Sequence, residues 1–210
     1  MEASTNLDQL VAKIQAKLNA ALESLTRKPV NLVLKTSGLI PIMTAQKLLE
    51  NAPGSVTAVY IPIVGEVNGD IFVFLPSDLA NGIADLLVGK DVGTTNILGE
   101  FGSSALKEFG NITFGVIITE IANALHVPIM LTVPNLATGM ANALFDQVLI
   151  EYGETAMDML AVQMPFRIEN VNSEGTFLIL FDKKSSDTIG VKLANDQSSP
   201  SLEDIFRGQY

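Results

Sequence analysis

The chain has 210 residues, 48% of them hydrophobic and 17% charged, which is enough apolar material for a sizeable core and too much for wholesale disorder. A formal net charge of −10 argues against a nucleic-acid backbone or an anionic membrane as the main partner. The absence of cysteine excludes thiol catalysis, disulfides and cysteine-ligated metal, and a single histidine, His126, leaves neither a histidine cluster for zinc nor a Ser/His/Asp set.

Met1–Asp8 is polar and acidic rather than a basic-plus-apolar leader, which predicts a cytoplasmic protein. Leu7, Leu10, Val11, Ile14, Leu18, Leu22 and Leu25 recur at helical spacing, so a long amphipathic helix is predicted from about Asn6 to Thr26. Arg27-Lys28-Pro29 ends it, and Val30–Leu34 reads as a strand. A short helix is predicted over Pro41–Asn51. Ser55–Val64 and Asp70–Leu75, rich in β-branched and aromatic residues, are predicted strands joined through Gly65–Gly69. Pro76-Ser77-Asp78 opens a helix that continues through Leu87 to Gly89.

The second half repeats this order. A long helix is predicted from Leu98 to Leu125, a strand over Val127–Val133, a helix over Ala137–Phe145, and paired strands at Met157–Ile168 and Thr176–Phe181. The uncharged run Ile121–Phe145 is long enough to span a bilayer. Pro128, Pro134 and His126 interrupt it, so it reads as helix–strand–helix with no membrane insertion.

Aligning Pro128 with Pro29 sets an offset of 99 residues between the halves. The predicted fold is therefore α/β (α+β): an internally duplicated, pseudo-twofold unit whose continuous, mainly antiparallel sheet carries two long helices. Its repeats would cover about 5–89 and 104–195 within one domain spanning 1–210. The chain turns polar from about Ser185, and 196–210 reads as a flexible tail. The competing arrangement is two independent domains joined near Lys90–Thr95.

The second long helix carries the informative residues. Ser104, Glu108 and Asn111 are spaced four and three apart, which places them on one helical face. Phe109, Ile112 and Val116 point in other directions and are expected to serve the core. Gly110 is a poor helix former, and beside the polar face it would let another chain approach closely. The ordinary alternative is a solvated Glu on an exposed helix and a Gly-Asn pair at a helix end. Chemically, an acid with a carboxamide suits hydrolysis of an acyl phosphate. An amide offers both a donor and an acceptor to orient a water, and the leaving carboxylate needs little further help.

Ser104-x-x-x-Glu108-x-x-Asn111, embedded in Ala-Leu-Lys-Glu-Phe-Gly-Asn-Ile, resembles the (D/S)-x-x-x-E-x-x-N signature of the CheC, CheX and FliY phosphatases. Tyr60–Gly69 is similar to the family's strand–turn–strand segment, and Val133-Pro134-Asn135-Leu136 with Ala137–Phe145 to the stretch after its second motif. The resemblance runs in order from about Thr5 to Phe181. It implies removal of the phosphoryl group from a CheY-like response regulator in chemotaxis. Glu108 would dock to a lysine of the regulator and Asn111 would orient the attacking water. Ser104 would be an auxiliary contact and Gly110 would supply clearance. No cofactor or metal of this chain's own is implied, and the Mg²⁺ would belong to the regulator.

Two departures from the family pattern bear on this. The family commonly carries the signature on both long helices, yet the 99-residue offset puts Thr5, Gln9 and Ala12 opposite Ser104, Glu108 and Asn111. Ala12 cannot orient water, so one working centre is expected. Gly139 stands where many relatives have an acidic residue, on a helix thought to contact the receptor deamidase CheD, which puts that partner in doubt. The alternative to a phosphatase is a scaffold of the same family that binds a regulator or CheD without hydrolysis. An unrelated α/β ligand-binding protein is a third reading. His126, next to Leu125, Val127 and Pro128, is expected at a helix end as a structural residue rather than a metal ligand.

Overall fold

The computed structural model describes residues 2–50, 52, 54–130, 132–153 and 157–196. The first half runs through helix α1 (Glu2–Thr26), strands β1 (Val30–Leu32) and β2 (Thr36–Pro41), a 3₁₀ segment (Ile42–Leu49), strands β3 (Ser55–Gly65) and β4 (Gly69–Pro76), and helix α2 (Ser77–Leu87). The second half runs through α3 (Glu100–Leu125), β5 (Ile129–Met130), β6 (Asn135–Met140), α4 (Ala141–Gly153), β7 (Asp158–Ile168), β8 (Glu174–Phe181) and α5 (Lys183–Asp196).

Among the described residues eight strands form one sheet in which every pairing is antiparallel. Its centre is β7-β8-β4-β3. The outer strands are exchanged between the halves: β1 and β2 pair with β7, while β5 and β6 pair with β3. The central strands alternate with the period of two that a sheet buried on both faces requires. Val59, Ile61, Ile71 and Val73 pack toward α1, α2, α3 and α5. Val56, Ala58, Phe72 and Phe74 pack toward the 3₁₀ segment and α4. The fold is thus the expected mixed α/β architecture, with the two long helices packed on an antiparallel sheet.

The 99-residue offset is visible in the backbone. Both long helices end in a left-handed residue, Arg27 (φ 54°) after α1 and His126 (φ 52°) after α3. Beyond Met140 the halves diverge, since the 3₁₀ segment has eight residues and α4 has thirteen.

Several expectations need correction. Of the strand predicted over Val127–Val133, Ile129–Met130 is strand, Val127, Pro128, Thr132 and Val133 are not, and Leu131 lies outside the described residues. Pro128 and Pro134 lack the N–H that a ladder needs, and this confines pairing to the residues between them. Ala137–Met140 is strand rather than helix, because β3 captures Asn135–Met140 in register and the helix starts only at Ala141. Gly139 therefore lies in an edge strand opposite Val56, not on the helix after it. The polar stretch after Ser185 forms α5 up to Asp196, and 197–210 of the expected tail lie outside the described residues. Asp182 caps this helix by accepting from the Ser185 N–H at 2.6 Å, and Ile189 and Leu193 bury one turn apart.

The segment Lys90–Thr95, the expected joint of the two-domain alternative, is strapped to α2. The fully buried Asp85 carboxylate accepts from Thr95 Oγ1 (2.6 Å), Thr95 N (3.0 Å) and Gly93 N (3.1 Å). Burial pushes its pKa up, but the hydrogen bonds from Thr95, Thr94 and Gly93 outweigh that and hold it below the ordinary value of 3.8.

Candidate functional site

Helix α3 is fixed by its inner face. Leu106, Phe109, Thr113, Phe114 and Ile117 are completely buried against the sheet, and the Phe109 ring stacks on Phe177 with centroids 6.4 Å apart. Thr113 returns its hydroxyl to the Phe109 carbonyl at 2.8 Å, so even the polar residue on this face is satisfied within the helix.

Gly110 belongs to the same inner face. A Cβ at this position would stand 2.7 Å from Val59 Cγ1 and 3.2 Å from Phe114 Cε2. The expected role in admitting a docking partner is therefore corrected: the clearance Gly110 supplies is for β3, which lets the helix settle close to the sheet.

The outer face carries the polar set. Ser104, Glu108 and Asn111 are all exposed on α3, at successive turns of one ridge. The Ser104 hydroxyl donates to the Glu100 carbonyl at 3.0 Å, which leaves its lone pairs outward. Among the described residues no hydrogen bond or ion pair engages the side chains of Glu108 or Asn111. A carboxylate and a carboxamide are thus held at fixed spacing on a rigid helix with their polar atoms free for an incoming group.

Glu120, three turns further on, is a useful contrast. It is buried and is used by Lys17 of α1, whose Nζ lies 2.5 Å from its Oε1. Glu108 has no such internal partner.

Among the described residues of the first long helix, the matching positions present nothing equivalent. Gln9 and Ala12 are exposed on α1 at positions matching Glu108 and Asn111. Thr5 falls within α1, with its side chain outside the described residues.

Other expectations are modified. Ile112 is 37% exposed and joins the outer surface rather than the core, while Val116 is half-buried. The sequence reading also missed two apolar residues near the polar set, Ile97 just before α3 and Phe101 in its first turn, exposed by 85% and 72%. Phe101 is seven residues before Glu108, so it shares the same ridge, and that spacing was the signal available. His126 is exposed at the C-terminal end of α3, and no group of three or more His, Cys, Asp or Glu that could hold a metal occurs among the described residues. No helix among them is long and apolar enough to cross a membrane.

Residues 57–148, which include Glu108 and Asn111, match the family described as chemotaxis phosphatase CheX. The CheY-P phosphatase CheC of Bacillus subtilis (strain 168) is 23% identical over 145 residues, covering 68% of this chain and 69% of that protein. Thermotoga maritima FliY has a similar fold, with a TM-score of 0.68 at 16% identity over 92% of this chain and 98% of that one. So does a chain of the FliG-FliM complex from H. pylori, with a TM-score of 0.62 at 12% identity over 90% and 98% of the respective chains.

Proposed function

We propose that the chain is a phosphatase of the CheC/CheX family, to whose members residues 57–148 and the 23% identity to CheC relate it, and that it removes the phosphoryl group from the phospho-aspartate of a CheY-like response regulator. We read residues 1–210 as one such domain of two repeats, a reading supported by the exchanged outer strands, and place it in the cytoplasm beside its proposed partner. The observation that carries the proposal is the Glu108–Asn111 pair, exposed and unengaged on one ridge of a helix whose other face is locked into the core.

In this reading Glu108 forms a charge-assisted contact with a lysine of the regulator and sets the docking register. Asn111 enters the regulator's active site. Its carbonyl accepts from a water and its NH₂ donates, so the water oxygen is held in line with phosphorus. As the new P–O bond forms, the bond from phosphorus to the aspartyl oxygen breaks. The carboxylate is regenerated, and inorganic phosphate leaves carrying the water's oxygen and both of its protons, one of which it releases to solvent. The reaction asks for little covalent help from the protein, which suits a site without a strong base. No cofactor of this chain is needed; the Mg²⁺ that compensates the phosphoryl charge is the regulator's. Ser104 is an auxiliary contact at the edge of the same face, and the exposed Phe101 and Ile97 add apolar surface beside it.

A scaffold without catalysis is the second reading, favoured by Ala12 at the position matching Asn111 and by the fold shared with FliM. Docking of CheD is not part of the proposal, since Gly139 offers it no acidic side chain. The deciding experiment is the decay of a phosphorylated CheY-like regulator from the same source, with and without this protein. Acceleration supports the phosphatase. Binding of the regulator with unchanged decay supports the scaffold.

A further inference from the structure

Two glycines flank Asn111 in α3, and they are there for opposite reasons. Glycine is, after proline, the poorest helix former, so each needs an explanation. Gly110 has one inside the fold, because Val59 occupies the space its side chain would fill. Gly115 has none: a Cβ at that position would meet nothing within 4 Å. Being four residues after Asn111, it is Asn111's neighbour on the outer ridge. It also borders an open depression of about 500 Å³ between α1 and α3, lined by Ala20, Ile112, Thr119 and the paired Lys17 and Glu120.

Openness alone is not a role, since Gly190 in α5 is equally open. What distinguishes Gly115 is its place beside an amide that must project into another protein. The backbone of a helix lies about 2.3 Å from the axis, whereas side chains extend its radius to roughly 5–6 Å. Asn111 is short. A side chain of similar length one turn away would stand as high as the amide and hold the partner's surface off it.

We propose that Gly115 is a positioning residue of the phosphatase: the response regulator's surface settles on the bare backbone there and into the adjoining α1–α3 depression, which brings phosphorus within reach of the water held by Asn111. This rests on the function proposed above and names where on the chain that partner sits.

The test uses the full chain carrying Gly115→Ala, Gly115→Gln or, as a control, Gly190→Gln. Each is compared with the parent for Tm, for affinity toward the beryllofluoride complex of a CheY-like regulator, and for decay of the phosphorylated regulator at saturating concentration. All three substitutions should leave Tm at or above the parent's, because helix propensity rises and nothing is displaced. Gly115→Gln should lower the saturated rate about a hundredfold, as a misplacement of about 1 Å does. Gly115→Ala should fall between, and Gly190→Gln should match the parent. A higher Tm with a lower rate is an outcome that a structural role for Gly115 would not produce. Parent-like affinity and decay for Gly115→Gln, with an active parent, overturn the proposal and leave the phosphatase reading standing. A parent that binds without accelerating decay sinks the phosphatase reading; weaker binding of Gly115→Gln then upholds the contact, and unchanged binding overturns it. A parent that neither binds nor accelerates overturns both.

Discussion

Gly110 of α3 and Val59 of β3 are so close that a methyl group added to the glycine would lie 2.7 Å from Val59 Cγ1. The helix carrying Glu108 and Asn111 therefore rests directly on the sheet, and the height of its outer ridge is set by this contact.

Gly110→Ala should destabilise the protein, although alanine is the better helix former. The gain from propensity is about 1 kcal/mol, while overpacking a filled core costs about 1–3 kcal/mol. Val59 is fully buried and cannot swing aside. Chemical denaturation should show a lowered midpoint for Gly110→Ala and partial recovery in the double variant with Val59→Ala. A midpoint at or above the parent's would contradict the contact.

Asn111→Ala and Glu108→Ala should separate binding from turnover. The Asn111 interaction matters most in the transition state, so its loss should slow decay of the phospho-regulator about a hundredfold with affinity nearly unchanged. Glu108→Ala should weaken affinity and rate together. Affinity for the beryllofluoride-activated regulator and decay of the phosphorylated form, measured for both variants, check this. Parent-like decay with Asn111→Ala would remove the catalytic assignment.

Gln9→Ala should leave the decay rate within about twofold of the parent, because Ala12 already lacks the amide that water positioning requires. Equal losses from Gln9→Ala and Glu108→Ala would show a second working centre on α1.

Asp85 should give the protein an acid-sensitive strap. Its folded pKa is held below 3.8, so the stabilisation is complete above the unfolded value and disappears as pH falls through the folded one. Asp85→Asn keeps the shape but presents amide hydrogens to donors. Its denaturation midpoint should be below the parent's at pH 7, and the gap should narrow below about pH 4. A gap independent of pH would mean that the carboxylate charge contributes nothing.

Much of this was legible in the sequence because the long elements state their period clearly. Both long helices, the two central hairpins and the 99-residue offset follow from apolar spacing and two prolines. What was not legible depended on partners far along the chain. Ala137–Met140, with Thr138 and Gly139 at its centre, has no strong preference of its own and runs directly into the helical Ala141–Phe145, and only the edge offered by β3 makes it a strand. Thr36–Pro41, broken by Gly38, becomes a strand because β7 supplies the ladder. At the site, the spacing of Ser104, Glu108 and Asn111 gave the ridge but not the direction of its glycine. Gly110 sits beside the polar residues in sequence and faces the sheet in space.

The exchange of outer strands between the halves has a consequence for synthesis. As the chain leaves the ribosome, Thr36–Pro41 emerges long before Gln163, the residue that Thr36 will pair with. The outer edge of β3 likewise stays open until Asn135–Met140 appears. The nascent first half is thus a set of apolar strands with bare edges, the state in which chains stick to one another. The last of these edges close only when β7 pairs with β1 and β2 and β8 pairs with β4, so folding should be slow, late and vulnerable to truncation. It also means that α1 can lose its chemistry but its half cannot be discarded, since β7 has no other outer neighbour.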